Sequence, residues 1–194
     1  LFAACEILHN EGYKGILGIA DADFDNLEGI SPPTISVLYT DFHDAECMMV
    51  KGLAFERVLT QFGSLEKLKK WQSAFGGDLR EHVLLQCSNI GYLLWYSKTK
   101  SLELVLRNLE IDAFTDRDTL KVDLAKLVRH AKNKSSKHGL LDSELLKGIE
   151  ERRNHSKDYW QIVRGHDFLD FLGYAFRFTW GTEQCLDITH DRLA

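Results

Sequence analysis

The spacing of apolar positions changes partway along the chain. Leu1, Ala4, Cys5 and Leu8 recur at helical intervals, which predicts a helix over residues 1–10. Glu11, Gly12 and Tyr13 break it. Residues 15–20, GILGIA, read as a short buried strand, and residues 21–33, DADFDNLEGISPP, as a loop holding both prolines. Residues 34–40, TISVLYT, are rich in β-branched positions and predict a second strand. Asp44 is a good N-cap for a helix beginning at Ala45, with Glu46 in its first turn, where a negative charge suits the helix dipole. That helix carries apolar residues at Met48, Met49, Leu53, Val58 and Leu59, with the two methionines expected in the core.

Beyond Gly63 the helical interval takes over. Ser64 caps residues 65–75 and Asp78 caps residues 79–100. Further helices are expected over 102–110 (LELVLRNLE), from about Asp116 to Lys132, over 143–154 and over 166–180. Residues 130–139, HAKNKSSKHG, read as a flexible connector. The aromatic-rich stretches GYLLWY and FLDFLGYAFRFTW belong in the core. No internal repeat is present. The expected fold class is α/β: a small sheet layer with helices over residues 1–62, then a mostly helical elaboration over 63–194 packed on it.

Composition narrows the function classes. The apolar fraction of 44% and the aromatic fraction of 11% support a sizeable core. A net charge of −5 argues against a globally basic nucleic-acid coat and leaves room for a local basic groove. Cys5, Cys47, Cys87 and Cys185 form no C-x-x-C pair, so zinc is disfavoured. They read as buried free thiols of a reducing cytosol, a cytoplasmic location. No apolar stretch approaches the roughly 20 residues of a membrane span, and no signal peptide is visible. Residues 1–8, LFAACEIL, look like the middle of a helix, so a segment upstream of Leu1 is expected.

Both predicted strands end in acid. The first leads into Asp21, Asp23 and Asp25, the second into Asp41, His43, Asp44 and Glu46. Ligands of open α/β sheets bind outside the carboxyl ends of the strands. Two strand ends delivering carboxylates to one edge define a compact negative pocket, with Asp21 and Asp23 on one side if the extended backbone continues. Carboxylate oxygens suit Mg²⁺ or Mn²⁺, which cancel the repulsion and activate water or a phosphoryl oxygen.

Competing readings remain. A lone D-x-D is most often a solvated acidic turn. An EF-hand fails, because its sixth position is Asn26 and its twelfth is Pro32. A phosphohydrolase of the haloacid-dehalogenase type would use Asp21 as nucleophile and Asp23 as acid, but Asp25 stands where that pattern wants Thr or Val. A glycosyltransferase D-x-D has no supporting motif. A non-catalytic interaction module with a vestigial site is the third alternative.

GIADADFDNLEG, VLYTDFHDAECMMV and, far downstream, WQIVRGHDFLDFLG together resemble the DUF4435 family of Toprim-fold proteins, relatives of the OLD-type nucleases. The resemblance spans nearly the whole chain, and its three segments are specific only jointly. It implies a Toprim-like sheet and a Mg²⁺-dependent nuclease that hydrolyses nucleic-acid phosphodiesters, DNA or RNA, transfer RNA included, as an effector of phage defence. It also implies an ABC-type ATPase partner, and Toprim nucleases often pair as homodimers. By position, Asp21 and Asp23 match the D-x-D metal ligands, and Asp41, Asp44 and Glu46 match the second acidic segment. The catalytic set is then Asp21, Asp23, Glu46 and His43. The family's early glutamate-bearing strand is expected upstream of Leu1; Glu6, inside the first helix, substitutes for it poorly.

His43 sits between two acids, either contacting a phosphate or leaving oxygen or simply hydrogen-bonding Asp41 or Asp44. Arg164, Gly165, His166 and Asp167 open the last helix, as caps or as a segment folded back to the acidic edge. Among basic residues Lys132, Lys134, Arg153, Arg164 and His166 are the candidates for nucleic-acid contact, against the commoner reading of a solvated helix face.

Overall fold

The computed structural model describes residues 1–182. Residues 18–20 form β1 (Gly18–Ala20) and residues 37–39 form β2 (Val37–Tyr39), which pair in parallel with Ile19 opposite Leu38. They are the two strands of the one sheet among the described residues. The ladder extends one bond beyond each end, from Gly18 N to the Ser36 carbonyl and from Thr40 N to the Ala20 carbonyl. Both strands are shorter than the apolar runs that predict them. Helix α1 (Phe2–Asn10) precedes β1, and α2 (Asp25–Glu28) interrupts the acidic loop. Ile19 and Leu38 point away from the core, 66% and 55% exposed.

Helices follow in order: α3 (Ala45–Lys51), α4 (Ala54–Phe62), α5 (Leu65–Phe75), α6 (Leu79–Thr99), α7 (Leu124–Lys134), α8 (Asp142–His155), α9 (Tyr159–Ile162) and α10 (Gly165–Ala175). A π-helical turn, Phe176–Trp180, continues α10. Four helices begin on side-chain caps that satisfy an otherwise orphaned N–H. Asp44, Ser64, Asp78 and Asp123 accept from the backbone nitrogens of Cys47, Lys67, Glu81 and Lys126.

Helix α6 is the axis of the core. Val83, Leu84, Cys87, Ile90, Tyr92, Leu93 and Trp95 are all buried, so it is apolar almost all round, as a central helix must be. It packs on α7, α8, α9 and α10. Gly91 lets the Ile162 carbonyl approach; any Cβ there would overlap that oxygen. The same apolar cluster takes in Phe24, Val50 and Phe55 from the first 62 residues. Among the described residues no helix is long and apolar enough to cross a membrane.

Several expectations need correction. Residues 102–110 are irregular, not helical. Ser101, Glu103 and Asn108 take positive φ (52°, 57° and 50°), which no helix accommodates. The helix expected from Asp116 starts instead at Leu124, and it runs to Lys134 through the first half of the supposed connector. The helix from Ala45 breaks at Gly52. Met48 and Met49 are 42% and 52% exposed and are not core. Cys5, Cys47 and Cys87 are buried and free; Cys185 lies outside the described residues.

Candidate functional site

The acidic loop after β1 turns rather than running on. Asp23 has φ 49°, a left-handed conformation, and its N–H donates to the His43 carbonyl at 2.8 Å. Each acid of the loop thereby acquires its own neighbour. Asp21 Oδ1 accepts from Ala45 N at 3.3 Å, at the start of α3. Asp23 faces His43 Nε2 at 3.6 Å and Lys98 Nζ at 3.9 Å. Asp25 accepts from the Tyr39 hydroxyl at 2.7 Å, and that bond raises the Tyr39 pKa. The like-charge repulsion of the D-x-D-x-D run is thus offset by a separate partner for each carboxylate.

Asp21, Asp23, His43, Asp44 and Glu46 line one cavity of about 600 Å³. Its far wall comes from α6 and the segment after it, through Leu94, Lys98, Glu103 and Arg107, and from α10 through Arg164 and His166. The two strand ends and the R-G-H-D segment therefore meet, although some 120 residues separate them in the chain.

The candidate residues divide on inspection of their bonds. Asp44 lies at the cavity but is buried, and both its oxygens are engaged: Oδ1 accepts from Cys47 N at 2.9 Å and Oδ2 from Gly165 N at 2.7 Å. It joins the N-termini of α3 and α10 and has little capacity left for a metal ion. Gly165 permits this approach, because a Cβ would sit 2.7 Å from Asp44 Oδ1 and 2.9 Å from Cys47 N. Asp41 falls outside the cavity; its carbonyl accepts from Gln161 Nε2 at 2.6 Å. Asp21 and Asp23 are exposed at the cavity, and Glu46 is half-buried there.

His43 is 1% exposed. Its Nδ1 lies 2.9 Å from the Gln161 carbonyl, an acceptor only, so Nδ1 carries the proton. Nε2 is left facing Asp23, and the Phe24 ring packs edge-on against the imidazole at 4.9 Å. Its partners are Gln161 and Asp23, not Asp41 or Asp44. So enclosed, His43 acts on the cavity through Asp23.

Four of the five basic candidates are committed elsewhere. Lys132 bonds Asp142 Oδ1 at 2.5 Å and Lys134 the Asn108 carbonyl at 2.6 Å. Arg153 bonds Glu150 and Asn89. Arg164 reaches the cavity wall, but its guanidinium grips Asp167 at 2.7 and 3.0 Å and the Leu106 carbonyl at 2.5 Å. Asp167 does not cap α10. Burial raises its pKa, and the Arg164 charge opposes that rise. His166 lines the cavity beside Asp167. The cations that sequence reasoning missed are Lys98 and Arg107.

Neither Cys47 nor Cys87 is set up as a nucleophile. Burial, with Asp44 alongside, pushes the Cys47 thiol far up, and burial does the same to Cys87. Among the described residues no group of three or more His, Cys, Asp or Glu side chains stands close enough together to hold a metal ion. A preformed cage is therefore absent among them. The available donors, Asp21 and Asp23 with Glu46 nearby, are hard oxygens, and they match the open mode of Mg²⁺, which takes one or two carboxylates and completes its shell with water and substrate phosphate. Comparison with family models, with curated proteins and with solved structures finds no match for this chain.

Proposed function

We propose that the chain is a Mg²⁺-dependent nuclease that hydrolyses nucleic-acid phosphodiester bonds at this cavity. One observation carries the reading: the carboxylates of two parallel strand ends face cations of the helical region, Lys98 and Arg107, across a single cavity. The resemblance to the DUF4435 family points the same way, and a role in phage defence rests on that resemblance alone.

Asp21 and Asp23 would hold Mg²⁺, with Glu46 beside them. Bound there, the ion would polarise a phosphoryl oxygen and favour ionisation of the attacking water. The chain supplies the rest. Ala45 N–H fixes the direction of Asp21. The backbone bond from Asp23 N to His43 fixes the left-handed turn that aims Asp23 into the cavity. His43 is a positioning residue: its Nε2 stands 3.6 Å from the Asp23 carboxylate, while Nδ1 stays anchored to Gln161. Lys98 lies near enough to Asp23 to offset its charge, and its ammonium attracts a polyanion.

Mn²⁺ titration followed by electron paramagnetic resonance tests the assignment. Wild type should reduce the free Mn²⁺ signal, more strongly with a non-cleavable oligonucleotide present, and Asp21→Asn/Asp23→Asn should reduce it far less. Equal binding by the double variant would contradict it.

A further inference from the structure

The segment from Leu102 to Glu110 is irregular, exposed in part and strained, yet it is fixed along its length. Non-glycine residues in left-handed geometry at 101, 103 and 108 each cost free energy that surrounding contacts must offset. Those contacts are present. Leu104 N donates to Ser97 Oγ at 3.1 Å and Val105 N to Ser135 Oγ at 2.8 Å. The Leu106 carbonyl accepts from Arg164 and the Asn108 carbonyl from Lys134. Glu103 pairs with Lys137 at 2.9 Å. Two cations thus clamp the backbone on either side of Arg107.

Arg107 itself is exposed, lines the cavity and has no hydrogen bond or ion pair with any described residue. The fold spends Arg164 and Lys134 on positioning a guanidinium that it leaves unspent. A guanidinium presents a planar fork of donors that matches two oxygens of one phosphate. The wall it faces is acidic, so a polyanion entering the cavity needs a cation on this side.

We propose that Arg107, with Lys98 lining the same cavity, is a substrate-binding site for the non-bridging oxygens of a nucleic-acid phosphate; the claim rests on the nuclease reading for the identity of the strand. Arg107 grips the backbone, and the clamp on Leu106 and Asn108 preorganises it. A nucleic-acid backbone and free phosphate share this chemistry, and the backbone is the favoured source because the cavity is open and its acidic wall repels an isolated dianion more than a strand spread along the cation side.

The test is fluorescence anisotropy of a labelled single-stranded oligonucleotide with the full chain in EDTA, over a range of salt. Arg107→Ala should weaken binding about tenfold and lower the slope of log affinity against log salt by about 1. Arg107→Lys should restore the slope and part of the affinity. Arg129→Ala, on the exposed face of α7, should change neither. Inorganic phosphate at matched ionic strength should compete no better than chloride. Absent wild-type binding, an Arg107→Ala affinity within twofold of wild type, an equal loss in Arg129→Ala, or phosphate competing better than chloride would each overturn the proposal. Failure of the nuclease reading looks different: Arg107→Ala still loses binding in EDTA, while wild type with Mg²⁺ cuts nothing.

Discussion

Asp44 and Gly165 meet at 2.7 Å, carboxylate oxygen to backbone nitrogen, and through that contact one side chain caps two helices. The acid that sequence position assigns to metal binding is therefore a structural joint between α3 and α10. Asp44→Ala leaves two buried N–H groups unsatisfied and should cost about 2–4 kcal/mol, at roughly 1–3 kcal/mol for each unmade bond with partial rehydration. Urea unfolding measures it. Mn²⁺ affinity per folded molecule should stay within a few-fold of wild type, and a complete loss of binding in a folded variant would restore Asp44 to the ligand set.

Arg164 and Asp167 form a buried, two-pronged ion pair. Removing one partner strands the other charge, at a cost of about 3–5 kcal/mol. Arg164→Met should therefore destabilise strongly, and adding Asp167→Asn should recover part of the loss in chemical denaturation. A double variant less stable than Arg164→Met would contradict this account of the pair.

Acid should weaken the Asp112–Asp123 turn. The bonds from Arg117 hold the Asp112 carboxyl below its ordinary range, and the bonds from Thr119 do the same for Asp116. A depressed folded pKa means that the unfolded chain binds protons first as pH falls. The stabilisation is complete above about pH 4, the unfolded carboxylate value, and drains away below it. Asp112→Asn should melt lower than wild type at neutral pH, and the gap between the two melting temperatures should shrink as pH falls below about 4. A gap that stays constant with pH would contradict the charge-based origin.

Local chemistry made part of this structure legible. Asp44, Ser64 and Asp78 announce helix starts because an N-cap is decided by one side chain and the next turn. Asp116 misled because Thr119 follows it: Oδ1 accepts from Thr119 N and Oγ1 and closes a turn, Leu120 goes left-handed, and the chain doubles back to the true cap at Asp123. In residues 102–110 a helical reading overlooked the alternation of Leu102, Leu104 and Leu106, whose side chains turn inward from an irregular segment. Met48 and Met49 followed the helix but fell on its outer face, which composition cannot tell. Asp21, Asp23 and Glu46 were visible because strand ends are where α/β folds place ligands. Lys98 and Arg107 were not, since nothing local says that α6 and the segment after it pass in front of those strands.

Cleavage itself is the most direct measurement. End-labelled single-stranded DNA and RNA are incubated with the purified chain, with Mg²⁺ or with EDTA, and resolved by length. The account predicts strand scission of at least one nucleic acid with Mg²⁺, none in EDTA, and a loss of at least about a hundredfold in Asp23→Asn, the scale on which removing an essential catalytic group is felt. Scission that Asp23→Asn retains at the wild-type rate, or no scission of either nucleic acid by folded wild type, would contradict it.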